Sequence, residues 1–250
     1  MAIAEFYDLN VLQWLIVSAC AIMIGLTKTG VPGLGALISP LMADVFPARA
    51  STGIVLPMLI FADLFAIGYY RRHAVWSHLL RIMPWTAAGI VLGYLLLGRI
   101  NDSQLRIFIG ATVLIILGVK QLWDRTKDEV SIPTQWWFAG GLGLIAGVAT
   151  MMANAAGPFS MIYLLSMRLP KNEFIGTGAW YYFILNWFKV PFSFNLGLIN
   201  IQSLQFDAML FPLITVGAVI GIRVLKRIPE TKFEKVVIVL AAATAIKLLL

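Results

Sequence analysis

The sequence predicts an all-α integral membrane protein with about ten transmembrane segments, at roughly 20 residues per segment, arranged as two inverted five-segment repeats. Three observations lead to this fold class. The 250 residues are 60% hydrophobic and only 12% charged, whereas soluble domains contain roughly 25% charged residues, and the mean hydropathy is +0.87. Apolar runs fill the chain between short polar connections, and glycine and proline recur at corresponding positions of the two halves.

The apolar runs have the length and composition of membrane segments. We predict them at 11–26, 34–46, 50–70, 79–98 and 104–123 in the first half, and at 136–150, 159–167, 174–194, 206–225 and 233–250 in the second. The polar stretch 124–135 is predicted to be a cytoplasmic linker. Residues 1–123 and 136–250 are then the two repeats.

Two of the connections are predicted helix breaks, at 27–33 and 151–158, because both contain glycine and proline. Proline removes a backbone donor and glycine relaxes the backbone, so a continuous helix tolerates neither well. The short runs around each break either cross the membrane separately or form a re-entrant hairpin. Both arrangements return the chain to the same face.

The two halves share glycines and prolines at nearly constant spacing, which indicates an internal duplication. The offset is 122 at the breaks, 123 in the next segment and 128 after a short insertion. The corresponding pairs are Gly25 and Gly147, Gly35 and Gly157, Pro47 and Pro170, Gly53 and Gly176, Pro84 and Pro212, Gly89 and Gly217, and Gly93 and Gly221.

The positions of Lys and Arg in short loops predict the orientation of the segments. When the basic loop at Arg71 and Arg72 is placed in the cytoplasm, most other loop cations fall there too, whereas Arg49, Arg99 and Arg106 fall outside. Both termini then face the periplasm. Because each repeat has an odd number of segments, the second is inverted relative to the first.

Several functions are disfavoured by residue counts. The net charge of +7 comes from cations in short loops and not from a nucleic-acid-binding patch. Cys20 is the single cysteine, which excludes disulfide frameworks and thiolate clusters. His73 and His78 have no third ligand nearby, and the chain has no H-E-x-x-H motif. We therefore expect a protein that is not an enzyme and has no cofactor, metal site or nucleic-acid partner.

The two breaks are the predicted binding site, since secondary transporters bind substrate near the midplane where broken helices meet. A helix that begins after each break directs unpaired N–H groups and its positive dipole end into the cavity. With the cation of Lys28, these ends favour a small anion, although Lys28 is also interpretable as an ordinary topogenic charge. The predicted substrate-binding residues of the breaks are Thr27, Lys28, Thr29, Gly30, Gly33, Thr150, Asn154 and Gly157.

Polar side chains inside membrane segments are costly and indicate function by default. Asp63 corresponds to Asn186 at the offset of 123, and Lys189 lies one turn beyond Asn186. We predict Asp63 to be a proton-coupling carboxylate or a partner of Lys28. Asn186 and Lys189 are predicted anion contacts. The alternatives are a structural role for Asp63 and a Lys189 that snorkels to the outer interface.

Two further patterns concern packing and aromatic residues. The Gly89-x-x-x-Gly93 and Gly217-x-x-x-Gly221 spacings permit close helix contact. Tryptophans near segment ends are typical of an interfacial belt, whereas Trp180, Tyr181 and Tyr182 lie deeper and are candidates to line a cavity.

These residues together resemble the sulfite exporter TauE/SafE family. The resemblance is carried by Gly25-Leu-Thr-Lys-Thr-Gly-Val-Pro-Gly-Leu-Gly35, Pro40-Leu41, the Asp63 segment, the Tyr-Tyr-Arg-Arg loop followed by Trp76, and the helix of Pro84, Gly89 and Gly93. The second break, Asn154 to Pro158, is less glycine-rich than the family pattern.

The resemblance implies a bacterial inner-membrane permease for sulfite, organosulfonates such as sulfoacetate, or related small anions. We expect alternating access, export and coupling to protons, with the lipid bilayer as surroundings and a homodimer as the assembly. A ten-helix drug/metabolite-type carrier and an anion channel are the alternatives.

Overall fold

The computed structural model describes residues 8–29, 35–126, 135–224 and 246, and over these residues the chain is helical with no strand. The helices, numbered here in chain order, are α1 (Val11–Thr29), α2 (Gly35–Val45), α3 (Ala48–Tyr70), α4 (Trp76–Leu97), α5 (Asp102–Thr126), α6 (Trp136–Ala153), α7 (Gly157–Ser166), α8 (Lys171–Asn195) and α9 (Ile201–Val224), with a short 3₁₀ helix (Arg71–His73) after α3.

Five of the described helices are long and apolar enough to cross a membrane, namely α1, α3, α4, α6 and α9, and α2 is a shorter apolar helix. The protein is therefore a multi-pass membrane protein, as the composition predicts. The number of ten segments, the inverted order of the repeats and the domain boundaries stay predictions. The tenth predicted segment, 233–250, lies outside the described residues except for Ile246, and so does most of the linker, from 127 to 134.

Both helices that precede the predicted breaks extend further than the sequence predicts. The first helix continues to Thr29 and the sixth to Ala153, past the predicted breaks at 27 and 151. In α1 the hydroxyl of Thr27 donates to the Met23 carbonyl at 2.6 Å, and that of Thr29 donates to the Gly25 carbonyl at 3.0 Å. Such bonds to the preceding turn are compatible with a continuing helix. The threonines therefore do not interrupt the helix.

Two close helix crossings organise the fold, α1 against α9 and α4 against α6. At the first, a Cβ on Gly25 would collide with the Ile214 carbonyl, and one on Gly217 would collide with the Ile22 carbonyl. At the second, Cβ atoms on Gly89 and Gly147 would collide with backbone of the opposite helix. The packing role predicted for Gly89 and Gly217 is confirmed, and Gly25 and Gly147 share it. Each crossing pairs a glycine of one half with a glycine of the other.

Helices α3 and α8 also pack against each other, and each contacts one of the crossings, α3 at α9 and α8 at α4. One buried apolar cluster joins α1, α2, α3 and α9, and a second centres on α4 to α8. This arrangement places Asp63 of α3 and Asn186 of α8 where the two halves meet.

We predict that Gly147→Ala destabilises the protein by roughly 1–3 kcal/mol, because the added methyl group overpacks the crossing against α4. Gly141, on the same helix, has no atom within 4 Å of such a methyl group. Gly141→Ala is therefore the matched control, and we expect it to be neutral or to stabilise by about 0.5–1 kcal/mol. Thermal unfolding of the purified protein in detergent measures both. Equal midpoints for the two variants would contradict the close crossing.

Candidate functional site

Asp63 is the centre of a buried polar cluster. Its carboxylate is 0% exposed, and Lys28 Nζ lies 2.8 Å from Oδ1. The amide of Asn186 donates to Oδ2 at 2.7 Å. Both oxygens of the buried charge are thus engaged, one by a cation and one by an amide, as a buried carboxylate requires. The structure brings together three of the residues that the sequence singled out, from α1, α3 and α8.

Lys28 lies in the last turn of α1 and is the accessible member of this cluster, with 12% of its side chain exposed. Its ammonium group is also 4.4 Å from the centroid of the Tyr182 ring, within the range of a cation–π interaction. The cation sits at the negative end of the helix dipole, where it is favoured. Lys28 is therefore stabilised by the Asp63 carboxylate, the Tyr182 ring and the helix dipole, and part of its side chain remains exposed.

Lys189 of α8 places its ammonium group at the end of the second broken helix, α6. Its ammonium group donates to the carbonyl and the hydroxyl of Thr150, both at 3.1 Å, and to the Asn154 side-chain oxygen at 2.7 Å. These acceptors use the three donors of an ammonium group. Thr150 corresponds to Lys28 at the offset of 122, but Thr150 is neutral. The positive charge at this second position comes from Lys189 of α8.

One alternative for Lys189 is wrong. The side chain does not snorkel to an interface, because it is only 1% exposed and its donors are taken by the end of α6. Lys189 is close enough to Asp63 and Lys28 to interact electrostatically with both. The described site thus contains two ammonium groups and one carboxylate.

Side chains from other helices satisfy the end of α6. Asn154 adopts left-handed backbone angles, φ 52° and ψ 31°, and caps the helix, a position that asparagine tolerates. Its amide donates to the Thr52 carbonyl at 3.1 Å. The hydroxyl of Thr52 donates to the Met152 carbonyl at 3.2 Å, and that of Ser39 donates to the Ala153 carbonyl. The carbonyls that the break leaves without helical partners are thus engaged, as they must be away from water.

Tyr182 connects the two breaks, a role that the sequence interpretation did not assign. Its ring lies under Lys28 at the first break. Its hydroxyl is 2.6 Å from that of Ser160 and donates to the Gly157 carbonyl at 3.4 Å, both at the start of α7. Tyr182, Asn186 and Lys189 follow at spacings of four and three, which is one face of α8. That spacing is the signal that could have identified Tyr182.

The other predicted binding residues have different surroundings. Thr27 is bonded only within α1, whereas the Thr29 hydroxyl also donates to the Ala218 carbonyl of α9 at 3.0 Å. Gly157 begins α7. Gly30 and Gly33 lie outside the described residues. An anion contact by the helix N-termini after the breaks stays a prediction.

The protein described as "Probable inner membrane transporter protein TsaS" of Comamonas testosteroni is 26% identical over 199 residues, which are 78% of this chain and 81% of that protein. No solved structure matches the chain.

The family model described as "Sulfite exporter TauE/SafE" matches residues 17–248. The match extends over both broken helices and the Asp63 cluster between them. The chain therefore belongs to the sulfite exporter TauE/SafE family, and it is a membrane transporter and not an enzyme.

Proposed function

We propose that this protein is a secondary transporter that moves small anions, sulfite or organosulfonates such as sulfoacetate, across the bacterial inner membrane by alternating access, with export coupled to protons. The observation that carries the proposal is the half-buried Lys28, whose ammonium group is paired with the Asp63 carboxylate. Secondary transporters with broken helices bind substrate at such a place. The name of the Comamonas testosteroni relative supports the inner membrane as the location.

The ion pair suggests how an anion binds. A sulfite or sulfonate group presents the same kind of oxygen acceptor to Lys28 as the Asp63 carboxylate does. Lys28 is 12% exposed and Asp63 is fully buried, so an anion reaches the lysine first. The anion then replaces Asp63 as the partner of Lys28. Asp63 keeps its hydrogen bond from Asn186.

This exchange links anion binding to a proton. A buried carboxylate that has lost its cation is costly, and protonation is the way to neutralise it. Asp63 then takes up one proton as Lys28 takes the anion, and it releases that proton when the ion pair forms again. Proton and anion therefore cross the membrane together, and the outward concentration gradient of the anion drives the export. We propose Asp63 as the coupling residue for this reason.

The packing of the helices supports the inverted-repeat plan and the movement that it allows. The pair α4 and α6 corresponds to the pair α9 and α1 when the halves are exchanged, and glycines at corresponding positions make both crossings. Two such close-packed pairs are suited to move as units around α3 and α8. The homodimer and the periplasmic position of both termini stay predictions.

Other transport classes differ in testable ways. Drug/metabolite-type carriers usually have uninterrupted helices, whereas α6 ends at Ala153 and α7 begins at Gly157, which favours the present proposal. A channel would carry an anion flux that does not saturate at low concentration. Saturation of sulfite flux in proteoliposomes therefore separates a carrier from a channel.

We predict that Lys28→Gln weakens sulfite or sulfoacetate binding by about 10- to 100-fold, because a charge-assisted hydrogen bond contributes about 1.5–3 kcal/mol. Glutamine keeps a donor for Asp63 and so limits the cost of leaving that carboxylate alone. A thermal-shift titration of the purified protein with sulfite, sulfate, thiosulfate, sulfoacetate and carboxylates measures the change, because ligands of the native state raise its stability.

Arg99→Gln is the matched control for Lys28, since Arg99 is an exposed cation outside the cluster. We expect it to bind anions as the unaltered protein does. The double variant Lys28→Ala/Asp63→Asn removes both charges together and separates lost binding from lost folding. Unchanged affinity in Lys28→Gln would refute the proposed anion contact.

We predict that Lys189→Met lowers the stability of the protein by roughly 1–3 kcal/mol, because the Thr150 hydroxyl oxygen and the Asn154 side-chain oxygen lose the donor that Lys189 supplies. The thermal midpoint in the absence of anions measures this effect. The function of Lys189 as a second anion contact is tested by the same variant. An unaltered midpoint together with a lost sulfite shift would make Lys189 an anion contact and not a brace for the α6 terminus.

A further inference from the structure

Asp207 is a second fully buried carboxylate, on α9. Its side chain is 0% exposed. Neither of its oxygens has a hydrogen-bond or ion-pair partner among the residues that the structure describes. A carboxylate buried in this way is costly, and acids inside membrane segments are associated with ion and proton pathways.

Asp207 lies on the face of α9 that packs against α1. Asp207, Leu210, Ile214, Gly217 and Gly221 follow at alternating spacings of three and four, which is one face of a helix. Leu210 and Ile214 are in the apolar cluster with Val17 and Cys20 of α1. The adjacent Phe206 packs against the Trp14 ring at 5.7 Å. Asp207 therefore belongs to an apolar packing face.

The corresponding position in the first half of the chain indicates which residue type packing favours at position 207. At the offset of 128, Asp207 corresponds to Leu79 on α4, and Leu79 is 0% exposed in the second apolar cluster. The neighbours on that face, Ile82, Thr86, Gly89 and Gly93, are buried as well. A leucine thus fills the corresponding position, and packing gives no reason for an acid.

The charged groups and the thiol described on the helices packed against α9 do not pair with Asp207. On α1 they are the buried Cys20 thiol and Lys28, which pairs with Asp63 of α3. On α3, Arg49 donates to the Leu97 and Ile100 carbonyls, and its backbone N–H donates to Asp102. On α9 itself, Arg223 lies in the last turn. None of these described groups pairs with Asp207.

We propose that Asp207 is a proton-binding site of the transporter, separate from the anion site. In this conformation Asp207 is the neutral carboxylic acid, and when the interface of α1 and α9 opens to water it releases the proton and becomes the carboxylate. A proton fits the site better than a metal cation, because metal ions such as Ca²⁺ need several oxygen ligands. Among the described residues, Asp207 belongs to no group of three or more His, Cys, Asp or Glu side chains that could hold a metal ion.

The two sites are far apart along α1. Trp14 lies beside Phe206, whereas Lys28 is fourteen residues further along the helix, about 21 Å at 1.5 Å per residue. The proton site is therefore not a part of the Lys28–Asp63 exchange. Its contribution to transport rests on the proposed function, but its protonation does not.

The first experiment detects the protonated acid without any transport. Dicyclohexylcarbodiimide modifies protonated carboxyl groups in apolar surroundings, and mass spectrometry of the purified protein locates the adduct. We expect modification at Asp207 that slows as the pH rises, that Asp207→Asn abolishes, and that the exposed control Asp8→Asn leaves unchanged. Absence of an adduct at Asp207 at every pH would overturn the proposal.

The second experiment measures coupling in proteoliposomes with the membrane potential set to zero by valinomycin and equal potassium concentrations. Loss of one transported proton lowers the sulfite ratio that a one-unit pH gradient sustains by about tenfold. We expect this fall in Asp207→Asn and Asp207→Leu, with sulfite exchange at equal pH retained. A sulfite ratio equal to that of the unaltered protein would overturn the proposal.

Control measurements separate this result from failure of the proposed function. If sulfite neither binds nor exchanges in the unaltered protein, the proposed substrate is wrong, and the carbodiimide experiment still decides the protonation of Asp207. Asp207→Leu reproduces the residue at position 79, so we expect a thermal midpoint equal to or above that of the unaltered protein. A lower midpoint together with lost exchange would make Asp207 a structural residue and overturn the proposal.

Discussion

The buried charge of Asp63 is the constraint on which the centre of this protein depends. A carboxylate that is fully removed from water needs a cation and a hydrogen-bond donor in fixed places. Lys28 and Asn186 supply them, and they come from α1 and α8, which both pack against α3. The pairing therefore fixes how the first break, the third helix and the second half of the chain meet.

The same cost explains how the chain interrupts helices inside a membrane. A broken helix end leaves carbonyl groups without helical partners, and side chains can satisfy them away from water. At the end of α6 these come from Ser39, Thr52 and Lys189, on three different helices. The second break is consequently a junction of α2, α3, α6 and α8. A ligand that binds at this junction therefore affects the packing of all four helices.

The sequence predicts most of this centre, because charged residues are rare in the chain and each is conspicuous. Lys28 and Asp63 are predicted in this way, and Asn186 is predicted as the counterpart of Asp63 at the offset of 123; the three are in contact. Tyr182 was hidden among neighbouring aromatic residues. Asp207 was missed because the predicted segment began at 206 and made it a polar edge, whereas α9 begins at Ile201 and places Asp207 more than a turn inside. Side-chain pairing across helices, as at Lys189, has no local signal in a single sequence.

The crossing of α1 with α9 also has a consequence for biogenesis. The Thr29 hydroxyl bonds to the carbonyl of Ala218, 189 positions later in the chain. At about 5–20 residues per second of synthesis, the ribosome needs roughly 10–40 s to make the partner of the first helix. During that time α1 is in the membrane with its glycine face uncovered by α9. Lipid, the insertion machinery or a chaperone must occupy that face until the last part of the chain arrives.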